Sequence, residues 1–180
     1  MVQIGYQASH EQFAPSTLLK YTILAENAGF NAINSSDHFH PWSEKQGQSG
    51  FSFAWLGAAM QATTLTYGMV CSLGQRYHPA IIAQAAATLA KMFPERFWIA
   101  LGSGEAINEN ITVNKWPAKA ERNQRLLECA QIMHRLFNGE IVSHQGLVTV
   151  ENAKLYTRPV KAPSIFCAAI SAQTAALAGS

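Results

Sequence analysis

The sequence predicts an α/β fold in which parallel strands alternate with covering helices. Three observations carry this prediction: strand-like runs alternate with helix-like segments, the connections are short, and the strand candidates are apolar almost throughout. Strands that helices cover on both faces read as continuous hydrophobic runs. Two architectures satisfy the pattern, a doubly wound open sheet and a (β/α)₈ barrel. Both place ligand-binding residues at the carboxyl ends of the strands.

The first half of the chain supplies three strand–helix pairs. Val2–Tyr6 is a short apolar run and forms the first predicted strand. The helix after it opens at Pro15, a favoured first-turn residue, and closes at Gly29, with leucine and isoleucine at helical spacing between them. A strand at 30–35, a helix at 51–62, a strand at 65–72 and a helix opened by Pro79 follow.

The second half repeats the alternation with one interruption. The run "RFWIALGSG" is a strand that leads into a glycine-rich loop, and "AKAERNQRLLECAQIMHRLFNG" is a helix that ends at Gly139. The segment "GEIVSHQGLVTVENAKLYT" predicts a small excursion of two or three strands, with 144–146 near its tip. "PSIFCAA" is a further buried strand, and "SAQTAALAGS" is helix-like. Polar residues cluster after four strands, at 7–11, 37–42, 72–77 and 102–109, which favours a functional face.

Composition indicates one compact domain, residues 1–180. Hydrophobic residues make up 48% of the chain and charged residues 13%, which fits a globular protein. The net charge of +2 comes without a basic run, so we expect no nucleic-acid partner. We expect no signal peptide and no membrane partner, because the start lacks the leader pattern and no apolar run approaches the ~20 residues of a span. Cys71, Cys129 and Cys167 are unclustered, which indicates free buried thiols in a cytoplasmic protein.

The stretch "NSSDHFHPW", residues 34–42, has three interpretations. His38 and His40 point opposite ways in an extended loop, and no further cluster completes a ligand set, so a metal site is disfavoured. An acid–base loop fits better, because histidine titrates near neutrality and a neighbouring carboxylate can fix its tautomer. Trp42 could shield a flat ligand from water. A surface loop with solvated histidines is the alternative.

The stretch "LGSGEAINEN" places Gly102, Ser103 and Gly104 directly after a strand. Their backbone N–H groups could face a phosphate or the edge of an aromatic ring. The spacing matches neither the dinucleotide fingerprint nor the Walker A motif. Glu105 is a candidate general acid. The alternative is a βα turn in which Ser103 caps the helix.

Three further positions stay open at this point. Glu11, at the mouth of the first strand, is either a site acid or an exposed loop acid. Arg76 is either a phosphate contact or a solvated charge, and His78 starts a helix together with Pro79.

Four motifs taken together resemble the luciferase-like flavin superfamily, and more narrowly its branch that depends on the deazaflavin coenzyme F420. They are "GYQASHEQFAP", "SDHFHPW", "RYHPAIIAQAAATL" and "ERFWIALGSGEAINE", in family order between Val2 and about Ala169. The resemblance implies an incomplete (β/α)₈ TIM barrel and an oxidoreductase that transfers a hydride between a small alcohol or carbonyl substrate and F420 or FMN. An FMN-dependent monooxygenase and a flavin-binding protein without turnover are the alternatives.

The resemblance also implies residue roles. His38 would be the base that removes the substrate hydroxyl proton, Trp42 would stabilise the reacting centre, and Glu105 would exchange a proton with the ring nitrogen. Glu11 would lie near the substrate. A non-prolyl cis peptide of the family would fall near Val70–Cys71. Contacts to the coenzyme are implied for Asp37, Val70, Cys71, Gly102, Ser103, Gly104, Asn108, Ala168 and Ala169.

Two departures from the family pattern qualify these expectations. Ile170 and Ser171 stand where the family has a Gly-Gly pair, so a side chain would crowd a phosphate tail and the coenzyme could be FMN. The chain also stops after the fifth of eight expected strands, before the basic residues that hold a phosphorylated sugar in the family. Five strands leave two open edges and an exposed apolar face. We therefore expect either part of a longer protein or a homodimer or higher oligomer.

Overall fold

The computed structural model describes residues 4–112 and 115–179, and in these ranges strands and helices alternate as predicted. A 3₁₀ turn at Asn110–Thr112 follows the fourth helix. In chain order the elements are β1 Gly5–Ala8, α1 Pro15–Asn27, β2 Ala32–Ser35, α2 Ser52–Ala62, β3 Thr66–Ser72, α3 Pro79–Met92, β4 Phe97–Gly102, α4 Ala106–Glu109, α5 Lys119–Phe137, β5 Val142–Gln145, β6 Thr149–Ala153, β7 Ser164–Cys167 and α6 Ala172–Ala178.

The main sheet decides between the two predicted architectures. Its five strands are all parallel and lie in the order β1-β2-β3-β4-β7. A doubly wound sheet reverses its strand order at a switch point, whereas a barrel adds each strand on the same side of the previous one. The sequential order is therefore that of a barrel segment. β5 and β6 form a separate antiparallel pair, which confirms the predicted excursion.

Three elements differ from the prediction, one in its bounds, one in its existence and one in its burial. β1 covers Gly5–Ala8 because this stretch pairs with β2; Val2 and Gln3 of the predicted strand lie outside the described residues. α4 was not expected, because four residues are too few to show a helical period. β7 was predicted as buried, but Phe166 is 55% exposed because its side chain lies on the sheet face that the helices do not cover.

One face of the sheet packs against the helices and holds the core. Tyr67 and Met69 of β3 and Ile99 of β4 are fully buried on this face. α3 opens as predicted: Pro79 is its first residue, and Nδ1 of His78 accepts the N–H of Ala80 at 3.3 Å. α3 then lies against α5, which covers the β4–β7 side of the sheet.

The opposite face of the sheet carries the alternate residues of each strand. Gln7 of β1 and Asn34 of β2 share a 2.6 Å hydrogen bond there. The Trp98 ring crosses Gly68 so closely that a Cβ at Gly68 would lie 1.8 Å from it. Val70 is 38% exposed on this face. β1 and β7 form the two sheet edges, so the open edges and the partly exposed apolar face expected from five strands are confirmed.

The expected cis peptide at Val70–Cys71 is wrong, because the described residues contain no cis bond. Val70 pairs with Ala100 and Cys71 with Leu101, so β3 continues as a regular strand through this point. Cys71 and Cys129 are free and buried as predicted, whereas Cys167 is only half-buried. No described helix has both the length and the apolar character that a membrane crossing requires.

Candidate active site

A cavity of about 570 Å³ opens at the carboxyl edge of the main sheet. The size lies in the range of small-molecule sites. The loops after β2, β4 and β7 form its walls, and the end of β3 forms its floor. The described residues that line it are Gln7, Asn34, Ser35, Ser36, Asp37, His38, Val70, Ser72, Gly102, Ser103, Gly104, Glu105, Asn108, Lys119, Arg122, Ala168, Ile170, Ser171 and Thr174.

Glu11 and His38 form a carboxylate–imidazole pair at one end of this cavity. Oε1 of Glu11 lies 2.6 Å from Nδ1 of His38. Oε2 of Glu11 accepts hydrogen bonds from the hydroxyls of Ser9, at 2.7 Å, and Ser36, at 3.0 Å. Burial alone would raise the pKa of Glu11, but these hydrogen bonds outweigh it and lower the pKa to about 2. Glu11 is therefore ionised at neutral pH, and it is not an exposed loop acid.

The charge of Glu11 fixes the tautomer of His38. A carboxylate can only accept, so Nδ1 of His38 carries the proton that it donates to Glu11. Nε2 is then left as a free base in neutral imidazole. The Trp42 ring packs edge-on against His38 with centroids 5.0 Å apart, and the hydroxyl of Ser49 donates to the carbonyl of His38 at 2.6 Å. The His38 side chain is 25% exposed, on the wall of the cavity.

Asp37 does not serve His38, although it precedes it in the chain. Its Oδ2 lies 2.9 Å from Nη2 of Arg76, and its Oδ1 accepts the hydroxyl of Tyr77 at 3.2 Å. Arg76 also reaches Glu109, with Nε 3.3 Å from Oε1. Burial raises the pKa of Asp37 and the pKa of Glu109 above their ordinary values, against the opposing charge of Arg76. Both expectations for Arg76 are wrong: it is a buried ion-pair residue, not a phosphate contact or a solvated charge.

Asn108 ties the loop after β2 to α4. Its Oδ1 accepts the backbone N–H groups of Phe39 and His40, at 2.9 and 3.0 Å. Nδ1 of His40 lies 2.9 Å from the carbonyl oxygen of Ile107. His40 is exposed but bonded to the protein, so the alternative of a surface loop with solvated histidines does not describe it. The two histidines of the motif thus have different partners, one in the cavity wall and one on α4.

The glycine-rich loop after β4 lines the middle of the cavity. Gly104 has φ of +77°, and a Cβ there would lie 2.9 Å from Cγ of Glu109, so only glycine fits without a shift. Glu105, not Ser103, is the N-cap residue of α4, so the capping interpretation of Ser103 is wrong. The Ser103 hydroxyl instead accepts a 2.6 Å hydrogen bond from Nζ of Lys119. The Glu105 side chain is exposed at the cavity.

Lys119 and Arg122 give the cavity a cationic wall that the sequence prediction missed. The Arg122 guanidinium lies 4.4 Å from the centroid of the Trp116 ring and donates to the carbonyl of Pro117 at 2.7 Å. Two cations that line the same cavity suit an anionic group such as a phosphate. Their signal in the sequence is weak, because basic residues three apart in the first turn of a helix are also common on solvated surfaces.

The remaining predicted contact residues divide between the cavity and its surroundings. Val70 and Ala168 line the cavity. The Cys71 side chain belongs to the buried core, and Ala169 does not line the cavity. Ile170 is fully exposed and lines the cavity without closing it. Among residues 4–112 and 115–179, no group of three or more histidine, cysteine or acidic side chains could hold a metal ion.

Comparison with known proteins identifies the family. Residues 1–180 match the model of the family described as luciferase-like monooxygenase, so the chain belongs to that family. A protein of Beutenbergia cavernae named F420-dependent glucose-6-phosphate dehydrogenase is 40% identical over 182 residues, which cover 99% of this chain and 54% of that protein. The protein of the same name from Microbacterium testaceum is 39% identical, with the same coverage. The chain thus spans about half the length of the curated relatives that it matches.

Solved structures agree with this assignment. An F420-dependent secondary alcohol dehydrogenase in complex with an F420–acetone adduct shares 38% identity and a TM-score of 0.95, over 98% of this chain and 55% of that chain. The coenzyme F420-dependent tetrahydromethanopterin reductase of Methanopyrus kandleri superposes with a TM-score of 0.79 at 19% identity, over 99% of this chain and 53% of that chain. The second likeness supports the fold alone. The predicted family and barrel-type fold are therefore confirmed.

The buried groups after β1 predict that the fold loses stability in acid. His10 is 0% exposed, its Nε2 lies 2.9 Å from the Ser35 hydroxyl, and burial lowers its pKa from 6.5 to about 4. Between these two pH values, His10 is therefore protonated in the unfolded chain and neutral in the folded chain. We expect the free energy of unfolding to fall as pH drops through this window, by up to ~1.4 kcal/mol per pH unit. Glu11 extends the loss below pH 4.5, towards its own pKa of about 2.

Urea unfolding at pH values from 4 to 8 measures this dependence. His10→Gln should flatten the slope between pH 4 and 6.5, whereas His134→Gln, at an exposed position of α5, should leave it unchanged. Equal slopes for the wild type and His10→Gln would contradict the assignment.

Proposed function

We propose that this chain, a member of the luciferase-like monooxygenase family, forms part of a deazaflavin-dependent oxidoreductase. The proposed enzyme interconverts a small alcohol and its carbonyl product. The observation that carries the proposal is the Glu11–His38 pair, in which the carboxylate lies 2.6 Å from Nδ1 of an imidazole that lines a coenzyme-sized cavity. The similar secondary alcohol dehydrogenase, which binds F420, supports the same reaction class. Since the chain spans about half of its relatives, the proposal concerns the site that this half provides.

The cavity fits a phosphorylated tricyclic coenzyme. Gly102 and Gly104 leave backbone free of side chains along its middle, and Val70 presents an apolar surface from its floor. Lys119 and Arg122 would hold the phosphate, together with the Ser171 hydroxyl. When bound, a deazaflavin or flavin ring supplies a two-electron acceptor for a hydride. FMN is the second candidate coenzyme, because Ile170 and Ser171 replace the small residues expected beside the tail.

His38 is the proposed general base for the substrate hydroxyl. Its Nε2 takes the hydroxyl proton as the alcohol is oxidised, and the imidazolium that forms lies 2.6 Å from the Glu11 carboxylate. Glu11 thus stabilises the charge that develops on the base and keeps Nε2 directed into the cavity. In the reverse direction the same imidazolium returns the proton to the carbonyl oxygen.

Two further side chains have proposed roles at the reacting centre. Trp42 holds the His38 ring by its edge-on contact and covers it from solvent. Glu105 lies on the cavity wall after the glycine-rich loop, where it could exchange a proton with a ring nitrogen. Asn108 and Asp37, which line the same wall, are proposed coenzyme contacts, although their oxygens already bond to Phe39, His40, Arg76 and Tyr77.

We further propose that the 180-residue chain associates with itself, as a homodimer or higher oligomer, in the cytoplasm. Among the described residues β1 and β7 form the two edges of the sheet, and Phe166 and Val70 are exposed on the sheet face that the helices do not cover. Light scattering on the purified chain should give a mass of at least twice 19.6 kDa. A monodisperse 19.6 kDa species would contradict this expectation.

Coenzyme titration tests the cationic end of the cavity. We expect F420 or FMN to bind, and Arg122→Ala to raise the Kd of the bound coenzyme by ~10-fold or more because a charge-assisted contact to phosphate is lost. Riboflavin, which carries no phosphate, should bind the wild type and Arg122→Ala equally. Lys161→Ala is the matched control, since Lys161 pairs with Glu95 on the surface outside the cavity. No binding of either coenzyme would contradict the proposed function.

Replacing the proposed base tests the chemistry. His38→Ala should remove turnover, by ~10²-fold or more, while coenzyme Kd stays within about tenfold, because the imidazole acts on the substrate proton. Oxidation of a secondary alcohol and of glucose 6-phosphate, each followed by coenzyme absorbance, gives the rates and compares the two substrate classes. His78→Ala is the control, at a helix cap outside the cavity. Normal turnover with lost coenzyme affinity would refute the base assignment.

A further inference from the structure

We propose that Arg76 is a positioning residue for His38, a role that rests on the proposed function. Arg76 touches neither the cavity nor the imidazole, but it holds the two acidic residues that adjoin the site, Asp37 and Glu109. Its side chain is only 7% exposed, on the core side of the cavity wall. Arg76, the first residue of the motif "RYHPA", is thus proposed to act through its neighbours and not as a catalytic group.

The contacts of Arg76 join three βα loops. Nη2 donates to both the backbone carbonyl of Asp37, at 3.1 Å, and its carboxylate, at 2.9 Å. The backbone N–H of Arg76 donates to Oε2 of Glu109 at 3.0 Å, and Nε lies 3.3 Å from Oε1. Asp37 follows β2, Arg76 follows β3, and Glu109 ends α4 after β4. The guanidinium and the backbone N–H of Arg76 therefore join the three loops that form the cavity wall.

His38 lies between two stretches of backbone that hydrogen bonds hold in place. On its amino side, the carbonyl that Arg76 binds belongs to the peptide bond between Asp37 and His38. On its carboxyl side, the N–H groups of Phe39 and His40 bond to Asn108, which precedes Glu109 in α4. A shift of either stretch would rotate the His38 ring away from Glu11 and displace Nε2.

The positions of Asp37 and Glu109 depend on the positive charge of Arg76. Asp37 and Glu109 place two carboxylates around one guanidinium, with side chains that are each only 2% exposed. A buried pair of carboxylates without its cation must separate or take up a proton. Since Asp37 adjoins His38 directly, that separation would move the catalytic loop. Lysine at this position keeps a positive charge but cannot hold two partners with a planar fork.

Arg96 provides a matched control within the same sheet. It precedes β4 and donates to three backbone carbonyls, those of Leu65, Met60 and Thr63, at 2.9, 3.0 and 2.6 Å. It therefore also joins neighbouring segments from a mostly buried position, but at the amino edge of the strands, opposite the cavity. A purely structural arginine should behave like Arg96.

The test compares Arg76→Lys with Arg96→Lys in the full chain. Both variants should lower Tm. At a temperature where both are folded, Arg76→Lys should reduce turnover at saturating coenzyme by ~10²-fold with coenzyme Kd within about threefold, because small misplacement of a base is costly. Arg96→Lys should retain turnover within about twofold. Equal losses of turnover in the two variants would overturn the proposal.

The imidazole of His38 gives a second readout that needs no turnover. In spectra of ¹⁵N-histidine-labelled protein, the Nδ1–H signal of His38, assigned by its loss in His38→Ala, should shift or disappear in Arg76→Lys and persist in Arg96→Lys.

If the wild type binds coenzyme but lacks turnover, the proposed function fails while this signal still decides the role of Arg76. Should Arg76→Lys not fold, Glu109→Gln, which keeps the side-chain size, must show the same effects. An unchanged His38 signal in the folded variant would overturn the proposal.

Discussion

Parallel alignment of the five strands is the constraint on which the whole site depends. Because β1, β2, β3, β4 and β7 all run the same way, their carboxyl ends meet at one edge of the sheet. Residues as distant in the chain as Glu11, His38, Arg76 and Glu109 are brought together there. The helices bury one face of the sheet, where the core lies, so the loops can carry polar chemistry without weakening the core.

Acidic residues at this edge are divided between two partners, the imidazole of His38 and the guanidinium of Arg76. Glu11 serves the imidazole of His38, while Asp37 and Glu109 share Arg76. The two sets differ in hydrogen bonding: serine hydroxyls and His38 hold the pKa of Glu11 low, whereas burial raises the pKa of the other two carboxyls. This division leaves one ionised acid beside the proposed base and keeps its neighbour in the chain, Asp37, occupied elsewhere. The proposed proton chemistry depends on that separation.

The sheet face that the helices do not cover corresponds to the interior of a closed barrel. Trp98 lies over Gly68 and stacks edge-on against Phe166, with centroids 5.5 Å apart, so part of the interior is already filled. Phe166 and Val70 stay partly exposed because no further strand faces them in the described chain. In a closed barrel, layers of such side chains would pack against strands from the other side. The cavity therefore has walls from the described strands and loops and is open on the side that the helices do not cover.

The sequence by itself determined the alternation of elements, the hairpin excursion and the polar loops after the strands, because hydrophobic period and turn residues are local signals. Position after strands indicated the loop at residues 34–42, Glu105 and the glycine-rich loop, and the family resemblance then pointed to His38 within the first of these. The periodic pattern left barrel and open sheet undecided, and the family resemblance implied the barrel. The observed strand order confirmed it, since strand order is a long-range property. Only the tertiary structure assigned Glu11 to His38 and Arg76 to Asp37, and it added Lys119, Arg122 and Glu109 to the site. Those pairings join residues 15 or more positions apart, and no local pattern records which buried charge will meet which.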